Sequence, residues 1–199
     1  MHQLLDDTRN LTCALEATLT TPPVPLAELD TPTPGAYVML YRGDLDLYSR
    51  LRRPGDRHDL RPIASAGGAP LYVGSAKELR ERAGRYRTKL RECVDLHVDD
   101  MLVVAMPTTS HAGALYIEGL LIAAFTPVWN EPWLSGFGSK PQGATRTRHQ
   151  RISAWQTLHP TTGTRAINAN RSDTVADLRA RTRSHLKLTV PAAMTIALT

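Results

Sequence analysis

No run of eighteen or more apolar residues occurs in the 199-residue chain, so no membrane-spanning helix is expected. The first ten residues, Met1 to Asn10, carry Asp6 and Asp7 and lack the apolar stretch of a secretory signal. Cysteine is scarce. Cys13 and Cys93 are the only two, and no CxxC spacing occurs. That argues against a disulfide framework and against a structural zinc site, and it fits a reducing, cytoplasmic setting. No internal repeat is visible.

Acidic residues are the minority among the charges, 19 against 24 Lys and Arg, for a net charge of +5. The distribution says more than the total. Arg50, Arg52, Arg53, Arg57 and Arg61 crowd one stretch. Arg80, Arg82, Arg85, Arg87, Lys89 and Arg91 crowd a second, and Lys140, Arg146, Arg148, His149 and Arg151 a third. Three mainly arginine clusters suit a polyphosphate partner. The plainer reading of each is a solvated face. The bulk is that of a soluble globular protein, 42% hydrophobic and 22% charged. The length suffices for one core domain with arms.

Residues 2 to 20 read as a helix with Leu4, Leu5, Leu11, Ala14, Leu15 and Leu19 as its apolar positions. Thr21 to Pro34 is proline-rich and reads as an extended, unpacked arm. Strands are expected at Ala36 to Tyr41, Pro70 to Gly74 and Met101 to Met106. The polar segment Arg42 to Gly68 reads as a long hairpin connection. Helices are expected at Ser75 to Arg91, Ser110 to Phe125 and Thr174 to about Leu186, the last capped by Ser172 or Asp173. Trp129, Trp133 and Trp155 are expected to pack the irregular region between the last two helices. The order of strands and helices implies a small layered α/β domain.

The residues able to do chemistry are few. Tyr37 and Tyr72 each sit on a short strand beside glycine, and a hairpin would bring both hydroxyls to one site. Either alone is more commonly packing. Arg82 and Tyr86 lie four apart on one helical face, where a guanidinium can neutralise a phosphate. Glu118 lies inside the most apolar helix, where a carboxylate is costly unless paired, solvated or metal-bound. A hard carboxylate oxygen suits magnesium. Asn130, just past that helix, either caps local backbone or contacts the site.

Gly35-Ala36-Tyr37, Tyr72-Val73-Gly74, Leu79-Arg80-Glu81-Arg82 and Glu118, in that order, resemble the GIY-YIG nuclease superfamily. Ala36 replaces the usual Ile or Val, and Val73 replaces Ile. Tyr72 to Tyr86 is similar to the nuclease module of the excision-repair incision protein. Glu118 through Pro127-Val128-Trp129-Asn130, Gly136-Phe137-Gly138, Pro141-Gln142-Gly143 and Ser153-Ala154-Trp155 through Leu158-His159-Pro160 resemble a type II restriction endonuclease branch that cuts GC-rich palindromes of the CCGCGG type. The resemblance spans roughly residues 34 to 160. Two features depart from that branch. Tyr86 stands where histidine is common, as it does in repair modules. The Gly74 to Arg82 link is shorter and the Arg42 to Gly68 link longer.

The resemblance implies an α/β fold of the α+β kind, with a three-stranded, mostly antiparallel sheet flanked by helices. Residues 1–34 would form a helix and arm, 35–130 the nuclease core with an inserted loop at 42–68, and 131–199 a DNA-recognition and C-terminal extension packed on the core. It implies DNA phosphodiester hydrolysis with magnesium, or manganese in its place, held by Glu118. Arg82 would hold the phosphate, Tyr37 act as general base, Tyr72 and Tyr86 orient water or phosphate, and Asn130 complete the site. The residues themselves leave Tyr37 and Tyr72 both open as the base. Lys140, Gln142, Arg146, Arg148 and Gln150 are candidates for reading bases or holding phosphates. A palindrome implies a homodimer on double-stranded DNA. A restriction role implies a cognate DNA methyltransferase in the same system, not as a stable complex. Two other readings stand beside restriction: a structure- or damage-directed repair nuclease, and a DNA-binding module without catalysis.

Overall fold

Three runs of β-favouring residues build the centre of the protein. They are β2 (Gly35–Tyr41), β3 (Pro70–Ala76) and β4 (Met101–Pro107). The structure, a computed structural model, describes residues 2–52, 60–62, 68–138, 152–162 and 173–196. Every residue of β2 and β3 is buried, which accounts for their almost unbroken apolar sequences. β2 pairs antiparallel with both neighbours, Val38 facing Val73 on one side and Val104 on the other.

The sheet has four strands, not the three expected, in the order β1-β4-β2-β3. The extra strand, β1 (Val24–Pro25), comes from the proline-rich segment and pairs with Val103 and Leu102 of β4. Proline forbids helix there but is tolerated on an edge strand, where its missing N–H costs no ladder bond. The segment is therefore packed, and the expectation of an unpacked arm is corrected. A 3-10 turn at Leu26–Glu28 follows, and Leu26 and Leu29 are buried.

Helix α1 (His2–Thr20) precedes the sheet. Helix α2 (Leu79–Arg91) follows β3 and buries Leu79, Ala83, Tyr86 and Leu90, spaced for one face. It starts later than expected. Ser75 and Ala76 belong to β3, because pairing with Ala36 and Gly35 carries the strand two residues further. Helix α3 (His111–Phe125) packs across β2 and β3. Ser110 caps it by accepting from Gly113 N–H, and Thr126 ends it in the left-handed conformation at φ 43°.

Short α4 (Ala154–Leu158) starts with a capping box between Ser153 and Gln156. The last helix, α5 (Val175–Ile196), is longer than expected and is capped by Thr174, not by Asp173, while Ser172 lies outside the described residues. Thr174 Oγ1 accepts from Asp177 N–H at 3.1 Å, and Thr174 N–H donates to Asp177 Oδ2 at 3.0 Å. Its Leu178, Leu186 and Val190 join the same hydrophobic core as the sheet. Among the described residues, no helix is long and apolar enough to cross a membrane.

The inserted segment after β2 also contributes to the core. Asp46–Leu51 forms a kinked 3-10 helix that buries Leu47, Tyr48 and Leu51. Tyr48 then joins a buried polar chain. Trp129 Nε1–H donates to Tyr48 Oη at 2.8 Å, and Tyr48 Oη lies 2.6 Å from His159 Nε2. His159 Nδ1 meets the Asp95 carboxylate at 3.0 Å. Burial lowers the His159 pKa against the pull of Asp95, so the ring is neutral at pH 7. A neutral ring with its proton on Nδ1 satisfies every link: Trp129 to Tyr48, Tyr48 to His159, His159 to Asp95. Four distant stretches of chain are thereby joined without an unpaired buried polar group among those four side chains. Trp129 and Trp155 are buried and Trp133 partly buried, in line with a packing role for all three.

Candidate active site

The register of β2 and β3 determines where the tyrosines go. Tyr37 faces Gly74 and Tyr72 faces Met39. Side chains alternate along a strand, so Tyr37 and Tyr72 are diagonal neighbours on one face of the sheet. α2 lies over that face and adds Tyr86. The three rings form a near-equilateral triangle, with centroids 6.2 Å apart for Tyr37 and Tyr72, 6.0 Å for Tyr37 and Tyr86, and 6.1 Å for Tyr72 and Tyr86. The hydroxyls of Tyr37 and Tyr86 share a hydrogen bond of 2.6 Å.

Glycine is required at two points around this triangle. A Cβ on Gly74 would fall on the Tyr37 hydroxyl, and one on Gly138 would fall on the Tyr72 hydroxyl. The glycine of Tyr72-Val73-Gly74 is thus explained by close approach, not by backbone conformation.

Arg82 brings the cation. It is on the same face of α2 as Tyr86, its Cζ 5.9 Å from that ring's centroid, and its Nη1 donates to Gly138 O at 3.4 Å. Burial works against its charge, but Tyr86, Tyr37 and Tyr72 together outweigh that and raise its pKa. The tyrosines respond in the opposite way. Burial raises the Tyr37 pKa well above 10, with Tyr86 and Tyr72 adding to the rise and Arg82 opposing it. Burial likewise raises Tyr72, helped by Tyr86 and by the Glu118 charge. Both are neutral phenols at pH 7 in the protein without substrate.

Ser75, one residue past Gly74, alternates to the opposite face of β3. There its Oγ–H donates to Glu118 Oε2 on α3 at 2.5 Å. Between the two faces, on the free edge of β3, lies Asn130. Its Oδ1 accepts from Val73 N–H and its Nδ2 donates to Val73 O, both at 2.8 Å. The backbone it holds is not the local one: Val73 lies 57 residues away, inside the Tyr72-Val73-Gly74 motif. The amide side chain occupies the edge as a neighbouring strand would, and so holds the strand between Tyr72 and Gly74 in place. The candidate site is therefore wrapped around an edge strand, with tyrosines and Arg82 on one face, Asn130 at the rim and Glu118 on the other face.

Among the described residues, no group of three or more His, Cys, Asp or Glu is placed to hold a metal. A single carboxylate with a serine hydroxyl does not fit structural zinc. It does fit magnesium, which takes few protein ligands and completes its shell with water and phosphate oxygens.

A model of the Eco29kI GIY-YIG domain matches residues 31–186. The chain belongs to this family. No individual curated protein matches it. The match covers the tyrosine strands, α2, α3 and most of α5, so the GIY-YIG fold extends well beyond the two short motifs. As a GIY-YIG domain the chain is a nuclease, and its partner is DNA.

The structure brings Tyr37, Tyr72, Arg82 and Tyr86 together and sets Glu118 within electrostatic reach of Tyr72. Lys140, Gln142, Arg146, Arg148 and Gln150 lie outside the described residues. The second basic cluster is largely engaged within the chain. Arg80 pairs with Asp30, Arg85 with Glu81, and Arg87 donates to Ala27 O. Such exposed pairs are weak and open to competition by phosphate. Ser75 and Phe137 carry contacts in the site that sequence alone did not assign to them. Ser75 had one signal, its place directly after Tyr72-Val73-Gly74.

Proposed function

We propose that this GIY-YIG nuclease is a type II restriction endonuclease, cutting double-stranded DNA at a specific, GC-rich palindrome. The observation that carries the reading is the convergence on β3 of three tyrosines and an arginine with a lone carboxylate. That is a set for phosphodiester hydrolysis. Arg82 holds the scissile phosphate, exchanging its long bond to Gly138 for charge-assisted bonds to phosphate oxygens. Water attacks phosphorus in line, a new P–O bond forms and the bond to the leaving oxygen breaks. The water's proton goes to Tyr37 as phenolate. Tyr86 hydrogen-bonds Tyr37, and Tyr72 orients water or phosphate. Asn130 acts through the strand it holds. Glu118 would hold magnesium, or manganese, which when bound supplies Lewis-acid stabilisation of charge on the phosphate and leaving oxygen.

A restriction role brings with it a homodimer matched to the palindrome and a separate methyltransferase that protects the host. Digestion of plasmid DNA in magnesium, with sequencing of the ends, tests the reading. Discrete fragments sharing one end sequence support it. A smear, or cutting confined to branched or damaged DNA, supports the repair reading instead, and binding without cleavage supports the inactive module.

The tyrosine base has a pH consequence. Burial keeps Tyr37 protonated at neutral pH, so the reactive phenolate is a minor species that grows as pH rises. The single-turnover rate should climb about tenfold per pH unit from about pH 6 to about pH 7.5. Tyr37→Phe should flatten that slope. A wild-type profile already level at neutral pH would assign the base elsewhere.

A further inference from the structure

Lys89 follows Tyr86 by three residues on α2, on the face that carries Arg82 and Tyr86. Its ammonium donates to two carbonyl oxygens, Gly136 at 2.5 Å and Phe137 at 2.8 Å. Arg82 reaches the next one, Gly138, at 3.4 Å. Three consecutive carbonyls thus accept from two cations of one helix. The Lys89 ammonium also lies 4.7 Å from the Trp155 ring centroid and 5.3 Å from that of Phe137. This is not the setting of a lysine kept for DNA, whose ammonium would stay in water. Burial lowers its pKa to about 8, and such desolvation must be repaid by hydrogen bonds and ring contacts.

The turn that Lys89 grips bears directly on the tyrosines. Phe137 stacks on Tyr86 with centroids 4.5 Å apart and planes 12° apart, and meets Tyr72 edge-on at 5.1 Å. Gly138 lies against the Tyr72 hydroxyl. Gly136 adopts a positive φ of 128°, and a Cβ there would strike Ser153. The turn therefore fits one path only, with Ser153 behind it and the tyrosines in front.

We propose that Lys89 is a positioning residue for cleavage: it docks the Gly136–Gly138 turn on α2, so that Tyr72 and Tyr86 stay in place when Arg82 leaves Gly138 for the phosphate. The two Lys89 bonds are short and the Arg82 bond is long, so the division of labour follows from geometry. The proposal rests on the reading of the chain as a phosphodiester hydrolase.

The test compares Lys89→Met, which keeps the aliphatic stem and loses the donors, with Lys89→Arg, which restores donors and charge. Three quantities are measured: single-turnover cleavage, duplex affinity without divalent metal, and amide hydrogen exchange across residues 135–138. For Lys89→Met the rate should fall at least about tenfold, as expected when reacting groups are misplaced by fractions of an ångström. Affinity should hold, and exchange should quicken in the turn but not in β2 or β4. Lys89→Arg should recover most of the rate.

Wild-type cleavage in Lys89→Met, or unchanged exchange at 135–138, overturns the proposal. So does a loss confined to affinity, which would make Lys89 a DNA contact. If Lys89→Met exchanges rapidly throughout, it has not folded, and Lys89→Gln, with two N–H donors on a shorter, uncharged side chain, takes its place under the same criteria. A wild-type chain that cuts no DNA refutes the hydrolase reading and with it the positioning role of Lys89 in cleavage. The exchange data then still report whether Lys89 holds the turn.

Discussion

Replacing Glu118 by glutamine should lower DNA cleavage in magnesium by about a thousandfold or more, while leaving the fold and metal-free DNA binding as they are. The substitution is nearly isosteric. The glutamine side-chain oxygen can still accept from Ser75 Oγ–H, the bond that holds the carboxylate at 2.5 Å, so α3 has no reason to move. What is lost is the negative charge proposed to hold the divalent cation. Among the described residues no carboxylate cluster offers a substitute site. Loss of a metal's electrostatic stabilisation is worth several kcal/mol, and about 4 kcal/mol corresponds to a thousandfold in rate. Cleavage and filter binding on the same preparation check the split. Full magnesium-dependent cleavage by Glu118→Gln would remove Glu118 from the mechanism.

The largest effect on stability is expected at Trp155, far from Glu118 in sequence. Trp155 is fully buried, with Trp129, Phe137 and His159 around it at centroid distances of 5.3, 5.1 and 5.1 Å. Trp155→Ala should cost about 3–5 kcal/mol, the range for emptying a large aromatic site. The midpoint of urea unfolding measures it, with an unchanged slope showing that two-state behaviour survives. The phenylalanine variants give a sharper contrast. Among the described residues Trp155 Nε1 is buried without a hydrogen-bond partner, so Trp155→Phe removes a polar group that gains nothing from them. Trp129 Nε1 donates to Tyr48, so Trp129→Phe leaves the buried Tyr48 oxygen without its donor, at about 1–3 kcal/mol beyond the packing loss. Trp129→Phe should therefore be the more damaging of the two. Equal losses would mean that the Asp95–His159–Tyr48–Trp129 chain adds nothing to stability.

Part of this arrangement is legible in the sequence. Arg82 and Tyr86 were legible because four residues on a helix set them on one face whatever surrounds them. Tyr37, Tyr72 and Gly74 were legible because a hairpin of apolar strands can hardly place them elsewhere. Glu118 stood out because a carboxylate inside an apolar helix needs a reason. The second basic cluster read as suited to a polyphosphate partner or as a solvated face, yet Lys89 is turned inward onto carbonyls that lie nearly fifty residues further along the chain. The proline-rich segment read as unpacked, because proline signals what a chain cannot form and says nothing of an edge strand's partner.

The sequence by itself determined the elements and the chemistry available to them: three apolar strands, the helices that follow, and a short inventory of tyrosine, arginine and carboxylate in a fixed order. Those depend on local propensity and on spacings of a few residues. Only the tertiary structure decided how they meet. The Tyr37–Tyr86 bond, the Ser75 grip on Glu118, the Asn130 clasp on Val73 and the buried Tyr48–His159 contact join residues 43 to 111 positions apart. No local rule ranks such pairings. They are selected together, by sheet register and by the need to satisfy every buried polar group, once the whole chain has folded.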